Sequence, residues 1–187
     1  SSEISSLRSD LDRLLLAGGP DYQQLISRDL ITAYHSRLAI QGLSESSNQP
    51  YIGSNSSILV FNGEILNWRS LLHNSGVQAP VNLESDTQFL SYILDSGLIQ
   101  DFIQDFRGFF SFVYFNPSER ILLASRDTYG VKPLYQTLIS GSYPAFASTS
   151  EALSCHPHIN KALDPTSFVG FMKYGFFPFG SSPFEGI

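Results

Sequence analysis

The sequence has a single cysteine, few charged residues and no long apolar run. Cys155 cannot form an internal disulfide or a cysteine-rich zinc site. Charged residues make up only 15% of the 187 residues, and the net charge is −6. This composition argues against a disordered or coiled-coil chain, and against nucleic acid or an anionic membrane surface as a partner. Apolar runs such as 108–115 are far too short to span a bilayer. A reduced, cytoplasmic setting is the simplest expectation.

Apolar and aromatic residues are abundant enough to build the core of one large domain. They make up 42% of the chain and include 15 Phe and 9 Tyr. Apolar spacing and a capping box at 85–88 predict helices over 3–16, 67–74, a segment after 85, and 165–174. Apolar runs bounded by Gly, Asn and Pro predict strands over 30–40, 58–61, 109–115, 120–125, 134–139 and 145–148. Helices flanking mostly antiparallel strands indicate a layered α+β domain.

One polar tripeptide, Asn62-Gly63-Glu64, directly follows the predicted strand 58–61. Asn62 offers a side-chain amide donor, Gly63 a closely approachable backbone N–H, and Glu64 an anion that can hold an ammonium. Two donors beside a carboxylate suit a site that polarises one end of an amino acid and holds the other. Asn-Gly is also the strongest short signal for a hairpin turn, so the tripeptide alone leaves a simple turn open.

Several short segments occur in a distinctive order along the chain. They are Gly19-Pro20-Asp21, His35-Ser36-Arg37-Leu38, Asn48-Gln49-Pro50, Asn62-Gly63-Glu64, Ser85-Asp86-Thr87, Arg107-Gly108-Phe109 and Ser125-Arg126-Asp127-Thr128-Tyr129-Gly130. The ordered set resembles the class II glutamine amidotransferase domain of the glutamine-dependent asparagine synthetase family. The resemblance implies the αββα four-layer sandwich of N-terminal-nucleophile hydrolases, an α+β fold of mainly antiparallel sheets.

The resemblance also implies roles for five residues. Arg37 corresponds to the arginine that holds the α-carboxylate of glutamine, a task that suits two parallel charge-assisted hydrogen bonds. Asn62 and Gly63 correspond to the oxyanion hole, and Glu64 and Asp86 to ligands of the α-ammonium. Structural alternatives stay open: a surface ion pair would equally explain Arg37, and the dipole at a helix start would explain Asp86.

The family nucleophile is an N-terminal cysteine at the start of an apolar strand, whereas this chain opens with Ser1-Ser2-Glu3-Ile4. The resemblance therefore implies that a first strand of about a dozen residues is missing. We expect this chain alone to hydrolyse no glutamine and to bind it weakly at most. Ser1 lies near a helix start rather than on a core strand, so we do not expect it to replace the cysteine. A missing strand would expose a sheet edge and favour self-association, for example as a homodimer.

The resemblance implies that residues 1–163 form the glutaminase-type domain of an asparagine-synthetase-like protein. Residues 164–187 then form a helix and connector toward a synthetase domain in the same chain or in a partner chain. The parent would hydrolyse glutamine and amidate a carboxylate with ATP and Mg. This chain has no phosphate-binding loop, so we expect no cofactor here. No metal site is expected either, because His156 and His158 lack further ligands at metal spacing.

An alternative from another functional class stays open, namely a vestigial module that binds a partner domain without doing chemistry, as in β-lactam synthetase-like proteins. The chain departs from the family pattern at 16–18, Leu66 and Thr149, and relaxed pocket chemistry of this kind favours that alternative. His35, two residues before Arg37 on the same strand face, is interpreted as a packed or pocket-wall histidine.

Overall fold

The computed structural model describes residues 2–28, 30–38, 48–79, 83–178 and 180–187. The chain divides into two compact units, each considered by itself. Leu15–Lys132 forms one unit, which we call the central unit, and Ser1–Leu14 with Pro133–Ile187 forms the other, the terminal unit. The domain boundary that the sequence analysis places at residue 163 stays a prediction. Ser1 lies outside the described residues.

The chain folds into six helices and eight strands within the described residues. The strands are β1 (Tyr22–Arg28), β2 (Ile31–Arg37), β3 (Tyr51–Ile52), β4 (Ile58–Ile65), β5 (Gly108–Asn116), β6 (Ile121–Arg126), β7 (Tyr135–Ile139) and β8 (Tyr143–Ala147). The helices are α1 (Ser2–Leu15), α2 (Trp68–Ser75), α3 (Asp86–Asp95), α4 (Ile99–Phe102), α5 (Ser150–Ser154) and α6 (Pro165–Tyr174). None of these helices is long and apolar enough to cross a membrane.

All strand pairs in the named sheets are antiparallel. The central unit contains a four-stranded sheet in the order β3-β4-β5-β6 and a separate pair, β1-β2; the terminal unit contains the pair β7-β8. Two short 3₁₀ helices, Leu16–Gly18 and Ile103–Asp105, join neighbouring elements. The mixed α/β architecture with antiparallel sheets that the sequence predicted is confirmed.

The core of the central unit lies between one face of the four-stranded sheet and α3. Alternate residues of each strand point to the same face, and those of β4 and β5 pack with the apolar side of α3. The buried set includes Leu59, Phe61, Ile65, Phe89, Leu90, Ile93, Phe110, Phe112 and Tyr114. Phe89 is the centre of an aromatic cluster, with its ring 5.7 Å from Phe102 and 6.0 Å from Trp68. This packing fixes the position of β4, and it turns the intervening residues of β4 away from the core.

Most predicted elements are confirmed, some with small changes at their ends. The predicted helix 165–174 coincides with α6, and Ser85 caps α3 by accepting a hydrogen bond from the Gln88 N–H at 3.2 Å. Only this half of the expected capping box forms. In the other half the Gln88 side chain would accept from the Ser85 N–H, but its Oε1 accepts from the Glu84 N–H at 2.7 Å. The predicted strand 30–40 corresponds to β2, and its last two residues lie outside the described part of the chain.

The interpretation of Asn62-Gly63 as a hairpin turn is wrong. Both residues lie inside β4, where Asn62 is opposite Ser111 and Gly63 is opposite Phe110 of β5. The predicted strand 58–61 was therefore too short. Gly63 has a φ of +123°, which a glycine adopts without leaving the strand pairing. The strand continues through this residue because β5 supplies a partner for every position of β4.

Candidate functional site

Among the described residues, one edge of β4 has no strand partner over its second half. β3 pairs only with Ile58 and Leu59, whereas β5 pairs with the whole of β4 on the other side. Backbone N–H and C=O groups of successive residues point alternately to the two edges of an antiparallel strand. Those of Phe61, Gly63 and Ile65 therefore point to the same edge as those of Leu59. We call the stretch from Phe61 to Ile65 the open edge of β4.

Side chains from other elements bond to the backbone of the open edge. The Phe61 N–H donates to Gln49 Oε1 at 2.6 Å, and the Ile65 N–H donates to Asp86 Oδ2 at 3.0 Å. The His35 ring lies near the Phe61 carbonyl, close enough for that carbonyl to favour the protonated ring. Residues from β2, the segment before β3, and α3 therefore converge on five consecutive residues of β4.

Gly63 lies in the middle of the open edge, and no larger residue fits there. A Cβ at this position would overlap the Phe109 carbonyl oxygen and lie 2.8 Å from the Phe110 Cα. By the alternation of the strand, the Gly63 N–H points toward the open edge, between the positions occupied by Gln49 and Asp86. The glycine is required here because the backbone of β5 approaches so closely.

Asn62 and Glu64 project from β4 on the face opposite the core. Both are half-buried, and they lie across from Ser111 and Phe109 of β5. Glu64 is close enough to Asp86 for its charge to raise the pKa of that carboxyl. Asn62, Gly63 and Glu64 therefore lie at the same end of β4 as Asp86; their role in binding a ligand stays a prediction.

Asp86 combines a structural position with an unfavourable electrostatic one. It is the first residue of α3, and its Oδ1 accepts from the Thr87 N–H at 2.8 Å, which agrees with the helix-start alternative. Burial raises its pKa above the ordinary value, the Ile65 and Thr87 donors oppose this, and Glu64 raises it further. Two neighbouring carboxylates of this kind favour a cation between them. The helix start alone does not explain why Glu64 lies beside it.

Arg37 is the last residue of β2 and is half-buried. One of its nitrogens, Nη1, donates to Asn48 Oδ1 at 2.6 Å. This amide orients the guanidinium without neutralising it. Arg37 is connected to the open edge through His35, which lies two residues earlier on the same strand face and near the Phe61 carbonyl. Two surface clefts lie elsewhere, one lined by residues that include Gln136 and Glu185 and the other by residues that include Asn67 and Arg107. Neither cleft contains any of the five predicted site residues.

His35 is held as a neutral ring. Burial lowers its pKa to about 4; the Phe61 carbonyl acts in the opposite direction, and the charge of Arg37 lowers it further. Its Nδ1 is buried and has no hydrogen-bond partner among the described residues. Nε2 is therefore the ring nitrogen available to donate toward the Phe61 carbonyl. Both interpretations made from the sequence, a packed or a pocket-wall histidine, understate its contact with β4.

Comparison with known proteins decides the family. Residues 3–187 match the sequence model of a family described as a glutamine amidotransferase domain. The chain belongs to this family of glutamine amidotransferase domains. The resemblance inferred from the ordered segments is thereby confirmed; the missing N-terminal nucleophile stays a prediction.

Curated relatives of this amidotransferase domain are synthetases and amidases. It is 34% identical over 140 residues to the amidase chyE of Penicillium rubens, covering 74% of this chain and 20% of the relative. It is 32% identical over 156 residues to a probable glutamine-hydrolysing asparagine synthetase of Acanthamoeba polyphaga mimivirus, covering 81% and 28%. It is 28% identical over 134 residues to asparagine synthetase B of Escherichia coli, covering 71% and 24%. The chain thus spans less than a third of these relatives.

Sequence reasoning missed the roles of Gln49 and Asp127 in this amidotransferase domain. Asp127 is buried in the loop after β6, and its carboxylate accepts backbone hydrogen bonds from Phe110, Tyr129, Val131 and Lys132 at 3.0 to 3.1 Å. Gln49 and Asp127 both stood in the ordered segments, and that was the only signal available. No cluster of His, Cys, Asp or Glu suited to a metal ion occurs among the described residues.

Proposed function

We propose that this domain binds L-glutamine as a zwitterion at the open edge of β4. Glu64 and Asp86 hold the α-ammonium, Arg37 holds the α-carboxylate, and Asn62 with the Gly63 N–H binds the side-chain amide oxygen. The observation that carries the proposal is the carboxylate pair Glu64–Asp86 next to Gly63 at the open edge of β4. Neighbouring carboxylates raise each other's pKa, and a cation bound between them relieves that repulsion.

The proposed arrangement assigns separate tasks to the two ends of the ligand. Attack on the side-chain amide moves negative charge onto its oxygen, and donors aimed at that oxygen stabilise the transition state. The zwitterionic end supplies binding energy and orientation. The described residues provide the binding groups and the oxyanion donors. That residues 1–187 hydrolyse no glutamine by themselves stays a prediction.

We further propose that the parent protein uses this domain as its glutaminase-type part. Glutamine hydrolysis would release ammonia, and an ATP- and Mg-dependent synthetase domain would transfer it to an activated carboxylate. The names of the relatives support this, since two of the three are glutamine-hydrolysing asparagine synthetases. The antiparallel sheets and the helix α3 packed on one of them support the four-layer αββα sandwich as the complete fold. A cytoplasmic location remains part of the same proposal.

Titration of the ¹⁵N-labelled chain with L-glutamine tests the proposed site. We expect saturable shifts at the amides of Gly63, Glu64 and Asp86, with weak affinity on the order of millimolar. The Arg37→Gln variant should weaken binding at least about tenfold, because the carboxylate loses a charge-assisted partner. The matched control is Arg28→Gln, which removes an exposed arginine from β1 and should leave binding unchanged.

The same titration separates the two functional classes. No shift at the open edge up to saturating glutamine would overturn the proposal and favour the vestigial, non-catalytic module. Shifts that persist unchanged in Arg37→Gln would also contradict it, because they would show that the zwitterion is bound elsewhere.

A further inference from the structure

Two side chains outside β4 hold the backbone of Phe61, the residue immediately before the proposed oxyanion donors. The Gln49 amide oxygen accepts a hydrogen bond from the Phe61 N–H at 2.6 Å, and the His35 ring lies near the Phe61 carbonyl, close enough for that carbonyl to act on the ring's pKa. Gln49 is 6% exposed, and the Nδ1 side of the His35 ring is buried. Both contacts therefore lie in the interior of the protein, away from its surface. We call these two contacts the Phe61 clamp.

The clamp makes contacts of the kind that a neighbouring strand would make at this edge. On the paired side of β4, β5 fixes every residue, but on the open edge β3 stops at the level of Leu59. Without the clamp, the next residues would be held from one side only. Those residues are Asn62 and Gly63, whose donors must point at one oxygen atom to be useful. Misplacement of such donors by about 1 Å is enough to lose most of their effect.

His35 also connects the two ends of the proposed ligand site. It lies on β2 two residues before Arg37, on the same strand face, and its ring contacts β4 one residue before Asn62. The ring therefore sets the spacing between the strand that carries the carboxylate-binding group and the strand that carries the amide-binding donors.

We infer that His35 and Gln49 are positioning residues that give the site its preference for a side-chain amide. They hold the Phe61 peptide so that Asn62 and the Gly63 N–H face the amide oxygen of the ligand, and they act without contacting the ligand. This inference rests on the proposed glutamine site.

The test compares two amino acids that share a zwitterionic end. L-glutamine carries the side-chain amide, whereas L-norvaline has an alkyl chain of similar length and depends only on Arg37, Glu64 and Asp86. The wild-type chain should prefer glutamine. His35→Phe, which keeps a ring but removes the donor, should reduce that preference at least about fivefold and leave the Kd for norvaline within about twofold. His35→Gln, which can still donate to the Phe61 carbonyl, should restore most of the preference.

Gln49 gives an independent pair of variants. Gln49→Leu removes the acceptor and should lower the preference in the same way, with faster hydrogen exchange at the Phe61 amide. Gln49→Glu keeps an acceptor and should retain both the preference for glutamine and the slow exchange of the Phe61 amide. The control His73→Phe changes an exposed histidine of α2 and should change the Kd of neither ligand. If His35→Phe fails to fold, the Gln49 pair decides.

The outcomes separate this inference from the proposed function. A merely structural role would weaken glutamine and norvaline together, and that result, or an unchanged preference, overturns the inference while the site itself stands. If the wild-type chain binds neither ligand, the proposed function falls. The Gly63 amide resonance then decides whether the clamp aims this donor: it should move in His35→Phe and return in His35→Gln. An unmoved Gly63 resonance overturns the inference whatever the ligands do.

Discussion

Asp86 and Asp127 are two carboxylates of the central unit that both accept backbone hydrogen bonds, yet their pKa values move in opposite directions. Burial raises the pKa in each case. At Asp127 four backbone N–H donors outweigh burial, and the pKa lies below its ordinary value. At Asp86 the hydrogen bonds from the Ile65 and Thr87 N–H groups do not outweigh burial and the neighbouring charge of Glu64. The pKa of Asp86 therefore lies above its ordinary value.

The difference separates a structural carboxylate from one suited to binding. A carboxylate whose lone pairs are filled by backbone donors stabilises a loop and has nothing left for a ligand. A carboxylate with fewer donors and a like-charged neighbour is stabilised when a cation arrives. The loop after β6 and the open edge of β4 therefore use the same chemical group for different purposes, and the surrounding backbone decides which.

The largest loss of stability is expected from a change at Asp127, whose carboxylate is fully occupied by backbone donors. Asp127→Asn replaces one accepting oxygen by an NH₂ group that faces backbone N–H donors, so at least two donors lose their acceptor. We expect a loss of about 3 kcal/mol in the free energy of unfolding, measured by urea denaturation at pH 7. Glu119→Gln, which removes an exposed carboxylate from the β5–β6 turn, should change it by less than about 0.5 kcal/mol. A loss at Asp127 as small as this control would remove one side of the comparison.

His35 extends the comparison to a buried base at the open edge. Its pKa of about 4 in the folded chain lies below the ordinary 6.5, so the unfolded chain binds the extra proton first as the pH falls. Stability is therefore full above pH 6.5 and decreases toward pH 4, by roughly 2 to 3 kcal/mol at pH 4.5. Urea midpoints at pH 7 and pH 4.5 should show a smaller decrease in His35→Gln than in wild type.

The control for this pH effect is His73→Gln, which should follow the wild-type decrease because His73 is exposed. Asp127 does not contribute in this window, since its lowered pKa places its loss of stability below pH 3.8. Equal decreases in wild type and His35→Gln would show that the ring is not held neutral in the folded chain.

Gly63 tests whether the open edge needs its glycine. In Gly63→Ala the new methyl group would meet the Phe109 carbonyl, whereas in Gly76→Ala it would enter open space after α2, although φ is also positive there, at +68°. We expect Gly76→Ala to cost about 1 kcal/mol of stability and Gly63→Ala about 2 kcal/mol. The difference between the two denaturation midpoints reports the clash with β5 together with the greater backbone strain at a φ of +123°. Equal costs would contradict the close approach of β5 at this residue.

The sequence predicted the elements of the open edge better than the contacts between them. Apolar runs located β4, β5 and α3, but Asn62-Gly63 suggested a turn because the local signal cannot report that β5 pairs through it. β1 was missed, since its Gln23-Gln24 interrupts any alternating pattern. The five-residue helix α5 was too short for helical periodicity, although Thr149 caps it by accepting from the Ala152 N–H at 3.2 Å.

The candidate site shows the same division. Asp86 and Glu64 were predicted from the resemblance, but their proximity depends on where α3 packs against β4, which local sequence does not encode. The contacts of Gln49 and His35 with Phe61 span 12 and 26 residues, and each joins a side chain to a backbone group. Any residue offers a backbone group, so no pattern of residue types marks the partner.

The smallest change in stability is expected at Asp86, with the clearest change in binding. Asp86→Asn keeps one oxygen for the Ile65 or Thr87 N–H and removes the repulsion from Glu64, so stability at pH 7 should change by less than about 1 kcal/mol. Glutamine affinity should fall about tenfold, because the ammonium loses a charged partner. Glu84→Gln removes a charge from the same helix start and should leave affinity unchanged. A stability loss equal to that of Asp127→Asn would mean that Asp86 serves the helix alone, and the two carboxylates would then differ in nothing that matters for a ligand.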